Sequence, residues 1–208
     1  NNHIPITQKV LSEREVWVDT GLAVFIGYVD AIHKDEDGFY NITDYKTSSM
    51  GTEYKGENLL HKQEQLLLYA LALTQLGIPL ETIKIRWNFL KYTNIRYDHM
   101  VSVTYMKNVV RCGERHRWVE AISTQLKKDM IAYGMSDVEA EVAYVDCLSN
   151  NNLDTLPKDI SKNYILEDAY VYGEVSQENV DTLINNMNKA VLDIQAKGED
   201  SSNWENNK

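Results

Sequence analysis

Two cysteines in 208 residues, Cys112 and Cys147, are too few and too far apart for a disulfide framework, and without a CxxC pair they offer no zinc site. They are expected to be buried or indifferent thiols. No apolar run approaches the about 20 residues a membrane helix needs, and no basic-then-apolar segment opens the chain. A soluble, intracellular, cytoplasmic protein with no membrane partner is therefore expected. Internal repeats and long low-complexity linkers are also missing. What remains is 43% hydrophobic and 25% charged, an ordinary globular composition with length enough for one domain of fair size and some peripheral additions. The chain starts at Asn1 rather than a methionine and ends in the polar GEDSSNWENNK, as a piece of a longer polypeptide would.

The formal net charge of −10 argues against an anionic partner until its distribution is considered. Residues 1–83 hold 6 basic and 12 acidic side chains, residues 84–128 hold 10 and 3, and residues 129–208 hold 5 and 16. The middle is a basic island containing Lys84, Arg86, Lys91, Arg96, Lys107, Arg111, Arg115, Arg117, Lys127 and Lys128, with Trp87, Tyr92, Tyr97, Tyr105 and Trp118 interleaved. Such a mixture suits phosphates and unstacked bases, and equally a solvated helix and strand face.

Hydrophobic periodicity gives the element order. Residues 14–32 are β-rich with a break at Gly21, 39–47 form a strand, and 57–76 form a helix stopped by Gly77 and Pro79. Strands are expected at 82–91 and about 99–106, then an amphipathic helix over 114–133. Beyond Gly134 come a short helix at 137–148, a loop over 149–164, a strand at 165–174 and a last helix at 176–197 capped by Ser176. The β-β-β-α-β order describes a mixed α/β sheet flanked by helices.

The hairpin GYVDAIHKDEDGFYNITDYKTSS, residues 27–49, carries charge where strands usually carry apolar side chains. Lys34 to Gly38 supply a polar turn with Asp35, Glu36 and Asp37 at its solvated tip. The acids before Gly38 imitate a calcium loop only superficially, because His33 stands at its first position, Asp44 at its twelfth, and strand follows rather than helix. With a period of two, Asp44 and Lys46 share one face and Tyr45 the other, and Asp30 lies on the partner strand within reach. In the next helix His61, Gln65 and Tyr69 fall at i, i+4 and i+8, a polar stripe beside the apolar Leu66, Leu67, Ala70 and Leu71.

GYVD (27–30), DYKT (44–47) and QLLLY (65–69) stand in that order on a β-hairpin and the following helix. This resembles the PD-(D/E)XK nuclease superfamily, in its RecB-like, phage-type exonuclease branch, where GxxD precedes DYKT and QxxxY. The resemblance covers roughly residues 13–92. It implies a restriction-endonuclease-like core, assigned to 1–133, with a mostly helical extension over 134–208 packed on it or merged into one domain. It makes Asp30 and Asp44 metal ligands with the Tyr45 backbone carbonyl, Lys46 the catalytic lysine, and Gln65 and Tyr69 groups that support the site or the DNA backbone. Glu15 or Glu13 would match the family's upstream acid, with Glu15 preferred because it begins the β-rich run. His61, Lys84, Arg86, Lys91 and Arg96 are the expected substrate contacts; His99 and His116 are ordinary. Many relatives carry an iron-sulfur cluster on four cysteines, a pattern Cys112 and Cys147 do not match, so none is expected within these residues.

The implied chemistry is phosphodiester hydrolysis. Carboxylates alone would repel the substrate, whereas aspartates holding Mg²⁺ or Mn²⁺ activate a water and stabilise the leaving oxygen. The expected partner is DNA, single-stranded or at duplex ends, together with other recombination, repair or replication proteins. Two alternatives are an inactive nucleic-acid-binding or assembly module of the same fold and an RNA endonuclease.

Overall fold

The computed structural model describes residues 10–102 and 105–198. Two antiparallel strands open it, β1 (Val10–Asp19) and β2 (Val24–Lys34). Val16 and Val18 of β1 point to the core while Trp17 and Asp19 face out, the alternation that a half-buried strand requires. The tight connection depends on Gly21 at φ +83°, whose N–H is accepted by the Asp19 carboxylate. A second hairpin leads to β3 (Tyr40–Lys46). Its tip is more than solvated: Asp35 accepts the Phe39 N–H at 2.8 Å and the Asn41 side chain at 3.0 Å, an Asx-type clamp on the turn.

The helix expected over 57–76 divides into α1 (Asn58–Lys62) and α2 (Glu64–Gln75). The division falls at Gln63, which is buried and accepts the Glu174 N–H at 2.9 Å. The two strands expected at 82–91 and 99–106 are a single one, β4 (Ile83–Ser102), followed by β5 (Tyr105–Glu114) where a loop and a helix start were expected. Its first half runs parallel to β3 and its second half antiparallel to β5. The helix expected over 114–133 begins only at α3 (Trp118–Ala121) and continues as α4 (Ser123–Tyr133), ended by Gly134 at φ +115°. Next come α5 (Asp137–Asn150), with a capping box between Ser136 and Glu139, and α6 (Lys158–Ser161) inside the expected loop. β6 (Ile165–Tyr172) then pairs antiparallel with β4, and α7 (Gln177–Lys197) starts at the expected Ser176 cap.

The result is a mixed α/β structure: a six-stranded sheet, β1-β2-β3-β4-β5 with β6 on the free side of β4, flanked by helices. Two apolar clusters use it. One gathers β1 to β4 with α2 and the start of α7, around Ile42, Ile85, Phe89 and Leu66; the other joins the far half of β4 to α3, α4, α5 and α6 around Ile95, Leu126 and Met130. Among the described residues no helix is long and apolar enough to cross a membrane.

Candidate active site

β2 and β3 pair only from Ala31–Thr43 to Lys34–Tyr40, while β3 continues beside β4 to Lys46–Phe89. The next residues beyond that ladder are Asp30 and Asp44. Asp30 Oδ2 accepts the Tyr45 N–H at 2.9 Å, so a side chain replaces the missing strand partner and is fixed there. The alternation of β2 also breaks at this point: Val29 and Ile32, three apart, both enter the same core cluster. Opposite the break on β1, Glu13 adopts a left-handed φ of +49° between the paired Ser12–Ala31 and Arg14–Val29.

Asp44 is buried, and its Oδ2 lies 2.6 Å from the Lys46 ammonium. That oxygen is otherwise enclosed, and its contact with the Lys46 ammonium is its main compensation. Burial pushes the Asp44 carboxyl above the ordinary aspartate range; Lys46 offsets part of this and the neighbouring Asp30 charge adds to it. For Lys46 burial works against the cation, but the hydrogen bond and charge of Asp44, with Tyr54 and Asp30, outweigh it and hold the ammonium above the usual lysine value. Below them Tyr54 packs edge-on to Trp87 and Phe89, with centroids 5.3 and 4.8 Å apart, forming an apolar floor.

Gln65 and Tyr69 act one layer back. Gln65 Nε2 donates to the Tyr69 hydroxyl at 2.7 Å, and that hydroxyl donates to the Tyr28 carbonyl at 2.8 Å. The brace therefore ends two residues before Asp30. It also explains Gly27: a Cβ there would meet the buried Tyr69 ring at 2.7 Å.

Not every expected residue joins this centre. Glu15 lies on β1 with both oxygens engaged, one by the Trp17 indole N–H at 2.8 Å and one by the Tyr28 hydroxyl at 3.0 Å. Among the described residues no group of three or more acidic, histidine or cysteine side chains is arranged to hold a metal ion. Arg86 is buried rather than available to substrate: its Nε donates to Thr43, its Nη2 lies 3.3 Å from His33, and its guanidinium stacks 4.0 Å over Tyr170. Lys84 sits over the Phe39 ring at 3.6 Å and Arg96 pairs with Glu167 at 2.5 Å. Elsewhere in the basic island Arg115, Arg117 and Lys127 pair with Asp168, Glu114 and Glu141, so much of its charge is neutralised internally. Lys91 is exposed and lines a cavity of about 510 Å³ with Ser49, Leu90, Glu114, Arg115 and His116. His61 is exposed on α1, in a separate groove shared with Asn179, Thr182 and Asn186 of α7. Cys112 and Cys147 are free thiols on β5 and α5.

Sequence reasoning did not single out Tyr54 or the joining of Glu15 to Trp17 and Tyr28. The glycine of GYVD was visible as a motif position, but its reason, close approach by a helix ring 42 residues later, needs the fold. The donor set itself fits a hard divalent cation: two adjacent carboxylates, one with an enclosed and poorly compensated oxygen, suit an ion that keeps several of its waters.

Searches of curated proteins and of solved structures give no match. The model of the PD-(D/E)XK nuclease superfamily matches residues 4–161, which span the parted strands, the brace helix and both halves of β4. The chain belongs to the PD-(D/E)XK nuclease superfamily.

Proposed function

We propose that the chain is a divalent-metal-dependent deoxyribonuclease of the RecB-like type. The observation that carries this reading is the meeting of Asp30, Asp44 and Lys46 where β2 and β3 part. Asp30 and Asp44, with the Tyr45 carbonyl, would hold Mg²⁺ or Mn²⁺, which when bound supplies Lewis acidity and a water of lowered pKa. Lys46 contributes a positive charge. Its pairing with Asp44 holds the ammonium above the usual lysine value in the metal-free protein, and beside the centre it can donate to a phosphoryl oxygen and offset charge that develops during attack. Tyr69 and Gln65 position Asp30 by holding the Tyr28 carbonyl and do not touch the scissile group. Lys91, exposed on β4 two residues past the Lys46–Phe89 pair, is the lysine best able to meet a flanking phosphate. End-directed or single-strand cutting in recombination, repair or replication is the role that the GYVD, DYKT and QLLLY resemblance supports.

The test is cleavage of end-labelled single-stranded, duplex and closed circular DNA, and of matched RNA, with Mg²⁺, Mn²⁺ or EDTA. Wild type should cut linear DNA in a metal-dependent manner, and Asp44→Asn and Lys46→Ala should each lose about 10²–10³-fold or more. Preference for RNA would point to a ribonuclease. Metal-independent binding without cutting would make the chain a binding module.

A further inference from the structure

We propose that the outward face of α5 is a docking site for a basic amphipathic helix of a partner protein. α5 has two apolar faces, where a surface helix has one. Ala140, Tyr144 and Cys147 point inward and join the second cluster, over the half of β4 that lies away from the Asp30–Asp44 centre. On the opposite side Val138, Val142 and Val145 are 74%, 66% and 52% exposed. Their spacing of four and then three residues makes one apolar seam, about 10 Å long and open to solvent over two turns.

Within this chain the three valines bring α5 no benefit. A β-branched side chain lowers helix propensity, and at a solvent-facing position no packing offsets the loss. An exposed apolar stripe of this kind marks an interaction site. The stripe is also short. Two turns of one helix cannot bury the area that a stable dimer needs, so the face suits a helix that docks and leaves.

Charge selects the occupant. With Val138 and Val145 at heptad positions d and Val142 at a, Glu139 and Asp146 take the e positions and Glu141 a g position. Acids therefore border the seam on both sides, and residues 134–157 hold five acidic and no basic side chains. Glu139 accepts the Ser136 N–H at 2.8 Å and its hydroxyl at 2.7 Å, and these bonds hold its carboxyl below the usual glutamate range. Glu141 meets Lys127 at 2.5 Å yet is 57% exposed, open to a second cation. Asp146 is exposed and bonded to the Asn150 amide. A second copy of α5 would set this border against itself in either direction, and a nucleic acid would be repelled by it. A helix with Lys or Arg at e and g complements it on both flanks.

The test is fluorescence anisotropy of labelled three-heptad peptides added to the full chain. Both carry leucine at a and d, one with lysine and the other with glutamate at e and g. Wild type should bind the lysine peptide, more weakly as salt rises, and not the glutamate peptide. Val142→Asn, with the fold checked by circular dichroism, should weaken that binding about 10-fold. Glu141→Lys combined with Asp146→Lys should reverse the preference. General attraction cannot produce that reversal, because the doubly substituted chain is still negative overall. Equal binding of the two peptides, binding of neither, or wild-type affinity in Val142→Asn overturns the proposal. So does a wild-type dimer, detected by sedimentation, that Val142→Asn dissolves, which would assign the face to a second copy of the chain.

Discussion

At the scale of single residues, the centre keeps a buried carboxylate at a cost in stability. Asp44 is buried, beside a second carboxylate, and its pKa is raised chiefly by burial. The sign follows from linkage: the folded state holds the Asp44 proton more tightly than the unfolded chain, so this group lowers stability as pH rises through the carboxylate range. Asp44→Asn should therefore melt higher than wild type at neutral pH, by about 1 kcal/mol of stability, while losing cleavage. A thermal melt at pH 5 and pH 8 beside the cleavage assay checks this, and an Asn variant that melts lower would refute the electrostatic account. Gly27 gives the complementary case. Gly27→Ala drives a Cβ to 2.7 Å from a ring whose hydroxyl is anchored to Tyr28, so it should cost about 1–3 kcal/mol and depress activity by displacing Asp30. Tyr69→Phe keeps the ring and loses only the hydrogen bond to the carbonyl, with an expected cost of about 1 kcal/mol in the same melt.

At the scale of elements, β6 closes the outer side of β4 and buries titratable groups in doing so. Tyr170 is pushed up to about 12, first by burial, against which Arg86 pulls it down, with Asp168 adding its charge and a hydrogen bond. Because the folded-state value exceeds the ordinary tyrosine value of 10.0, the stability tied to the protonated hydroxyl is intact below pH 10.0 and is lost as pH rises toward about 12. Tyr164, bonded to Asp129 at 2.7 Å, is shifted the same way. Tyr170→Phe should thus flatten part of the alkaline decline of the melting temperature and leave the Tyr164 share, which a pH series of melts would resolve. Much of the site was legible in the sequence because its parts are local: Asp44, Tyr45 and Lys46 are consecutive, and strand period alone sends Asp44 and Lys46 to one side. The Arg86 environment was not legible, since His33, Thr43 and Tyr170 reach it from three other strands. Nor was the length of β4. Its second half alternates buried Thr93, Ile95 and Tyr97 with polar neighbours that, taken singly, resemble a loop.

At the scale of the whole molecule, the boundary expected at residue 133 divides contacts that the fold depends on. The family match ends at residue 161, before β6 and α7, yet β6 pairs with β4 on both sides of its middle, from Arg86–Tyr172 to Arg96–Ile165. Gln63, buried at the α1–α2 junction, accepts the Glu174 N–H, and Val180 and Leu183 of α7 lie in the same apolar cluster as Leu66 and Ile85. In the second cluster Leu126 and Met130 are covered by Tyr144, Cys147 and Ile160 from α5 and α6. We therefore propose that the chain folds as one unit rather than as a core with an appendage. A fragment ending at residue 133 would expose an open edge of β4, bare much of both clusters and leave Gln63 buried or stranded without its partner. It should aggregate or melt without a cooperative transition, whereas the full chain should lose far-ultraviolet and near-ultraviolet circular dichroism at one temperature. A soluble 1–133 fragment with a sharp melt and metal-dependent cleavage would restore the two-part division and make residues 134–208 an addition whose role lies outside the catalytic fold.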